Sequence, residues 1–162
     1  MIQIEIPQFE SHYTLSKKRR AKYRTLKDGN VKVSNPKTAG KPRLWRVNGQ
    51  DMYNGRLNPL MRAKITKYYH DYLSIHIDRI LHGLFIPIGK YPIAISLDIY
   101  EVKEDKLPDI DNLWIWKKWF ADCLTELEII PDDGPDYIIE SGYIKYHWVT
   151  TEEERKLIFN IY

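Results

Sequence analysis

With 162 residues, 43% of them hydrophobic, the chain is long enough for one domain with its own core and too apolar for a disordered protein. No apolar run approaches the roughly 18–20 residues of a membrane span, and no N-terminal segment has the pattern of a secretory signal. Cys123 is the single cysteine and cannot form an internal disulfide. These features predict a globular cytoplasmic protein that does not bind membranes.

The charge is divided unevenly along the chain. Residues 17–46 contain twelve Lys and Arg against one acid, a local charge of +11, so the other residues carry −8 of the total of +3. Such asymmetry is typical of a nucleic-acid-binding arm on an acidic body, because neutralising phosphates releases counterions. A solubilising surface loop would have the same composition, and charge alone leaves both interpretations open.

The N-terminal third predicts one strand and a basic arm. Ile2, Ile4 and Ile6 alternate with polar residues, which indicates a strand with one buried face. Residues 12–56 show no sustained helical periodicity and predict a long, partly mobile loop or hairpin. Aromatic residues among the cations either stack on unpaired bases or anchor the arm to the core. They are Tyr13, Tyr23, Trp45 and Tyr53.

A helix is predicted from Asn58 to near Gly83, because an N-cap residue is followed by proline at the first helical position. Its apolar stripe is predicted to be Met61, Ile65, Tyr68, Tyr72 and Ile75. The helix also carries His70, His76 and His82. Their spacing of six residues does not put three imidazoles on one face, so they are interpreted as surface or partly packed side chains rather than a metal site.

Three further strands are predicted at residues 93–99, 137–149 and 156–162, with Gly142 as a β-bulge in the second. Together with the first strand they predict an α+β fold. We expect a small mixed β-sheet of about four or more strands packed against two main helices, in a single domain spanning residues 1–162.

Residues 108–136, PDIDNLWIWKKWFADCLTELEIIPDDGPD, place a pair of acids before a predicted helix and another pair after it. In an extended segment Asp109 and Asp111 project to the same side. The helix is predicted to start near Asn112 and to stop before Pro131. Its apolar stripe is Leu113, Trp116, Phe120, Cys123 or Leu124, and Leu127, with Trp114 and Trp119 beside it as core or interface residues.

A strand–helix–strand connection can bring Asp133 back toward Asp109 and Asp111. Three carboxylates at one point would suit Mg²⁺, which prefers oxygen ligands and can activate water for phosphodiester hydrolysis. The alternative is structural. Asp111 would then cap a helix N-terminus, and residues 132–135 would form an ordinary turn.

The order PDIDN at 108–112, FADCL at 120–124 and PDD at 131–133 resembles the RusA family of Holliday junction endonucleases, commonly encoded by phages and prophages. Lys118 stands four residues before Asp122, and Asp133 stands eleven after it, as in the family. Ile115 occupies the position where the family usually has its lysine, and three residues are inserted before Lys118. Helical periodicity favours Lys118 as the equivalent, since Lys117 would face away from the acids.

The resemblance implies a RusA-like fold and a Mg²⁺-dependent endodeoxyribonuclease, with Mn²⁺ as a substitute ion, that resolves four-way junctions by paired nicks as a homodimer. It implies metal binding by Asp109, Asp111 and Asp133. Asp132 would support the site, Asn112 would orient the acids, and Lys118 would steady a phosphate or the attacking water. A basic position of the family resembles Lys145. The predicted DNA contacts are Lys17, Lys18, Arg19, Arg20, Lys22, Arg24, Arg43, Arg46 and Lys145.

Two alternatives remain at this point. The insertion before Lys118 suits a nucleic-acid-binding protein that keeps the scaffold without cleaving. The charge division also suits a protein whose basic arm contacts an acidic partner protein and whose carboxylates are a solubilising face.

Overall fold

The computed structural model describes residues 1–16, 23–25, 31–33, 43–81, 88, 90–103 and 107–162. In chain order the elements are β1 (Ile2–Pro7), β2 (His12–Ser16), β3 (Tyr23–Thr25), β4 (Val31–Val33), β5 (Arg43–Arg46), α1 (Gly49–Tyr53), α2 (Pro59–Leu81), β6 (Ile93–Val102), α3 (Trp114–Glu126), β7 (Ile138–Val149) and β8 (Lys156–Ile161). They form two compact units. One is Glu10–Val47, and the other combines Met1–Phe9 with Asn48–Tyr162.

The larger unit is built on a four-stranded mixed sheet in the order β1-β8-β6-β7. The β1–β8 and β8–β6 pairs are antiparallel, whereas β6 and β7 are parallel and are joined through α3. Helices α2 and α3 pack on each other, and each also contacts the sheet. The predicted α+β class is therefore confirmed, as a mixed sheet packed against two main helices.

Gly142 lies in a β-bulge of β7, as the sequence predicts. Between Ile95 and Leu97 of β6 the pairing advances from Ser141 to Ile144 of β7, so β7 has one extra residue. A Cβ on Gly142 would lie 3.3 Å from the carbonyl oxygen of Ile95. The missing side chain thus permits the close approach of the two strands.

Helix α2 begins as predicted but buries a different stripe. The side chain of Asn58 accepts a hydrogen bond from the Met61 N–H at 2.8 Å, just before Pro59. The buried positions recur every four residues, whereas Ile75 of the predicted stripe is 66% exposed. Apolar residues surround much of this helix, so periodicity alone does not choose between neighbouring stripes. The buried stripe is Ile65, Tyr69, Leu73, Ile77 and Leu81.

The smaller unit consists of two hairpin-like pairs. Strand β2 pairs antiparallel with β5, and β3 pairs antiparallel with β4. The sequence predicts a loop or hairpin here, and the described residues of this unit form paired strands.

Across all the residues that the structure describes, no helix has the length and apolar character needed to cross a membrane.

The face of β6 opposite the core carries a hydrogen-bond network around Asp98. Its Oδ1 lies 2.6 Å from His147 Nε2, and its Oδ2 accepts from Asn160 Nδ2 at 2.9 Å and from the Tyr143 hydroxyl at 3.0 Å. Burial alone would raise the pKa of Asp98, but the hydrogen bonds from His147, Asn160 and Tyr143 together hold that pKa below its usual value. The network therefore stabilises the ionised carboxylate.

Asp98→Asn is expected to lower the free energy of unfolding by about 1–3 kcal/mol at pH 7, because the partners of the carboxylate lose a charged acceptor. Since the pKa is depressed in the folded state, the contribution is present above the unfolded-state value of about 4 and is lost as pH falls through the folded value. Urea denaturation at pH 7 and at about pH 3 measures the difference. An equal loss at both pH values would contradict the argument.

Candidate functional site

The segment that joins β6 to α3 presents Asp109 and Asp111 to solvent. The backbone enters a 3-10 turn at Ile110–Asn112, where the Asn112 N–H donates to the carbonyl of Asp109 at 2.9 Å. The Tyr146 hydroxyl donates to the carbonyl of Pro108 at 3.1 Å and ties the segment to β7. Both carboxylates are exposed, and within the described part of the chain neither has an ion-pair or hydrogen-bond partner.

These acids do not act as helix caps. Helix α3 starts at Trp114, its N-cap is Leu113, and no side chain caps it. Asp109 is the N-cap of the short 3-10 turn, and its side chain makes no capping hydrogen bond either. The predicted start near Asn112 is thus two residues early, and the structural alternative for Asp111 is wrong. Both carboxylates are exposed and neither makes a capping hydrogen bond.

Helix α1 packs against this segment. The sequence did not predict this helix or the contact. Its N-cap Asn48 accepts from the Gln50 N–H at 2.9 Å. A Cβ built on Gly49 would lie 2.7 Å from Trp114 Nε1 and 3.0 Å from the carbonyl oxygen of Asn112. The ring of Tyr53 lies 5.4 Å from that of Trp114. The acidic segment therefore rests directly on the backbone of α1.

Gly49→Ala is expected to destabilise the protein by about 1–3 kcal/mol, because the added methyl overlaps Trp114 and the Asn112 carbonyl. The sign is diagnostic, since replacing glycine by alanine in a helix without such contacts stabilises by about 0.5–1 kcal/mol. Urea denaturation of this variant and of Gln50→Ala, an exposed neighbour, measures the effect. A more stable Gly49→Ala protein would show that the close contact is not maintained.

The two lysines of α3 have opposite environments. Lys117 is buried and donates to the carbonyl of Gly142 in β7, and burial lowers its pKa. Lys118 is exposed, and its Nζ lies 3.1 Å from Asp122 Oδ1. Burial alone would lower the pKa of Lys118, but Asp122 and then Asp133 raise it above its usual value. Lys118 is therefore exposed and within electrostatic range of Asp133.

In the acid pair that follows α3, Asp132 and Asp133, the two acids differ. Asp132 Oδ1 accepts the N–H of Asp133 at 2.9 Å, and a Cβ on Gly134 would lie 3.0 Å from Asp132 Oδ2. Asp132 is thus engaged by the turn, whereas the exposed carboxylate of Asp133 interacts with Lys118. In the described structure, the carboxylate oxygens of Asp109, Asp111 and Asp133 do not all lie within 4.8 Å of one another. Because carboxylates repel until a cation joins them, their convergence on an ion stays a prediction.

Most of the predicted DNA contacts lie outside the described residues: Lys17, Lys18, Arg19, Arg20 and Lys22. Arg24 lies in β3, and Arg43 and Arg46 lie in β5. Lys145 is exposed on β7, opposite Asp98 of β6. Among the aromatics of this region, Trp45 is buried, with 7% of its side chain exposed.

A second polar cluster joins α2 to α3. His70 Nδ1 lies 2.9 Å from Glu126 Oε1, and its Nε2 lies 3.5 Å from Asp122 Oδ2. Burial alone would lower the pKa of His70, but Asp122 and Glu126 raise it above its usual value. The Cys123 thiol donates to the carbonyl of His70 at 3.6 Å, and burial raises the pKa of Cys123 to about 11. His70 was interpreted from sequence as partly packed, and its acidic partners, 52 to 56 residues away, had no local signal.

Neither a scan against protein-family models nor a search of the curated proteins finds a match to this chain.

Proposed function

We propose that the protein is a Mg²⁺-dependent, structure-specific endodeoxyribonuclease of RusA type that resolves four-way DNA junctions by paired nicks. The observation that carries the proposal is the exposed pair Asp109 and Asp111, which has no partner in the described chain and no capping role. Unpaired carboxylates two residues apart repel each other, and a hard divalent cation relieves that repulsion. A bound cation would therefore relieve a repulsion that the described residues leave unbalanced.

In this proposal Asp109, Asp111 and Asp133 hold the metal ion. The ion, when bound, stabilises charge on the scissile phosphate and lowers the pKa of a water molecule that attacks it. Asp132 holds the turn that presents Asp133, through its bond to the Asp133 N–H. Asn112 leads from the turn into α3, and its carbonyl rests against α1.

In this proposal Lys118 supplies a positive charge within electrostatic range of Asp133. Asp122, one turn further along α3, holds the ammonium group through a 3.1 Å ion pair. A lysine placed in this way can contact a phosphate oxygen or the attacking water, and its raised pKa keeps it protonated at neutral pH. The basic residues 17–46 would bind the flanking DNA backbone.

Paired nicks require two sites, and we propose that the protein acts as a homodimer. Light scattering at micromolar concentration should give twice the mass of the chain. Its free cysteine suits the reducing cytoplasm of a cell or of a phage-infected host.

The test is a synthetic four-way junction incubated with protein and Mg²⁺. Symmetric nicks on opposing strands are expected, with Mn²⁺ able to replace Mg²⁺ and with no product after chelation. A linear duplex containing the same sequences is the control and should remain intact. A junction that is bound tightly but left uncut in both metals would contradict the proposed catalysis.

A second candidate is a nucleic-acid-binding protein that does not cleave. It is favoured by Ile115, which occupies the position of the family's lysine and is fully buried in the core. Calorimetry discriminates between the two candidates. A nuclease should show a Mg²⁺ or Mn²⁺ site that is lost in Asp111→Asn, whereas a binding protein should show junction affinity with steep salt dependence and no such site.

A further inference from the structure

We propose that His70, Cys123 and Glu126 form a binding site for a transition-metal ion of the Zn²⁺ type between α2 and α3. One ligand atom from each residue lies within 4.8 Å of the others. Cys123 and Glu126 are three residues apart and share a face of α3, while His70 projects from α2. This site is separate from the Mg²⁺ site proposed above and does not depend on it.

The imidazole of His70 is already oriented as a metal ligand requires. Its Nδ1 lies 2.9 Å from Glu126 Oε1, and the two atoms share a hydrogen bond, so both are directed to the region between them. Its Nε2 lies 3.5 Å from Asp122 Oδ2. A carboxylate hydrogen-bonded to the second ring nitrogen is the usual companion of a metal-bound histidine, because it fixes the tautomer and the ring plane. Nε2 is buried without a hydrogen-bond partner among the described residues, so Asp122 would need to move closer to make that bond. The ion would take the place of the Nδ1 proton, which would leave to solvent.

Cys123 completes the set with a soft ligand. The thiol is fully buried, and its Sγ–H donates to the carbonyl of His70 at 3.6 Å. Binding breaks the S–H bond, the proton leaves to solvent, and the thiolate forms the S–metal bond without a change of oxidation state. The thiolate and the Glu126 carboxylate together balance the charge of a divalent ion, which offsets the burial of the sulfur.

An adjoining cavity gives the ion a route of entry and a fourth ligand. It has a volume of about 570 Å³, and its walls include His70, Asp71 and Glu126. Zinc sites with three protein ligands keep a fourth position for water or substrate. A water molecule from this cavity can occupy that position.

The donor set selects the metal. A nitrogen, a sulfur and an oxygen suit Zn²⁺ or Co²⁺, whereas Mg²⁺ prefers oxygen ligands alone. Tetrahedral bonds of about 2.0–2.3 Å place ligand atoms roughly 3.3–3.8 Å apart. Ligand atoms as far apart as 4.8 Å would therefore need to close by about 1 Å, whereas His70 Nδ1 and Glu126 Oε1, at 2.9 Å, would need to move slightly apart. Because the ligands come from both helices, an ion here would lock α2 against α3.

The test is a Co²⁺ titration of the chelator-treated protein followed by absorption spectroscopy. We expect one equivalent to give a thiolate-to-Co²⁺ charge-transfer band and the intense visible bands of tetrahedral Co²⁺, with Zn²⁺ removing both. Cys123→Ser should abolish the charge-transfer band. His70→Ala should weaken Co²⁺ affinity more than 100-fold, and Asp122→Asn should weaken it 10- to 100-fold.

His76→Ala is the matched control, since it removes another histidine of α2 that is outside the cluster. It should bind Co²⁺ like the original protein. The proposal is wrong if the unmodified protein gives no charge-transfer band, or if the band survives in Cys123→Ser. The measurement on the unmodified protein tests the proposal even if the variants do not fold. A nuclease-deficient Asp111→Asn protein should keep the Co²⁺ spectrum, which separates the two metal sites.

Discussion

Asp111→Asn is expected to lower the rate of Mg²⁺-dependent junction nicking by roughly 100- to 1,000-fold. The amide keeps the size of the side chain but removes one negative ligand, and a catalytic metal ion contributes several kcal/mol of transition-state stabilisation. Stability should not change, because the carboxylate is exposed and has no partner in the described chain. Single-turnover nicking of an end-labelled junction measures the rate.

Asp136→Asn is the matched control. Asp136 is an exposed acid at the end of the same acidic stretch, outside the DIDN and PDD motifs. It should nick at the original rate, and Asp111→Asn should still bind the junction, because neutralising an acid does not weaken attraction to phosphates. Equal rates for the two variants would remove Asp111 from the site. Failure of the unmodified protein to nick would instead contradict the nuclease proposal itself.

Features of the fold that depend on local patterns could be predicted from sequence. Alternating isoleucines define β1, the Asn58-Pro59 pair defines the start of α2, and Gly142 marks the bulge of β7. Each signal lies within a few residues of the structure it specifies. The α+β class followed from the order of such segments.

Features that depend on tertiary packing could not be predicted. Helix α1 is five residues long and has too few turns to show a periodicity. The buried stripe of α2 is decided by the surface of α3 and β1, and not by α2 alone. Asp98 meets His147 and Asn160 across 49 and 62 residues of chain.

In the candidate site, too, some features follow from local sequence patterns and others depend on tertiary packing. The helical repeat predicts that Lys117 and Lys118 face different sides of α3, and in the structure Lys117 is buried while Lys118 is exposed. That Lys118 lies on the face of Asp111 stays a prediction. The proposed convergence of Asp109 and Asp111 with Asp133 would depend on the geometry of the two loops and of the ion. No pattern within residues 108–136 contains that information. The contact of Gly49 with Asn112 was equally invisible, because the two residues are 63 positions apart.

Trp119→Ala is expected to lower the free energy of unfolding by about 3–5 kcal/mol, the usual loss for a large aromatic in a core. Trp119 is 1% exposed and its ring stacks on Tyr69 at 4.8 Å. It also contacts Trp116 edge to face at 5.6 Å. The cavity left behind would lie between α2 and α3. Since domains are stable by only about 5–15 kcal/mol, much of the total stability should be lost.

Trp148→Ala removes the same atoms from an exposed position and is the natural comparison. Trp148 is 53% exposed and stacks on Tyr146 at 5.2 Å, so its loss should cost less than about 1 kcal/mol. Urea denaturation of both variants gives the two values. If Trp119→Ala does not fold, Trp119→Phe keeps an aromatic ring and should show a smaller loss. Equal costs for the two alanine variants would mean that the α2–α3 contact does not stabilise the fold, and that another contact fixes the face on which Lys118 lies.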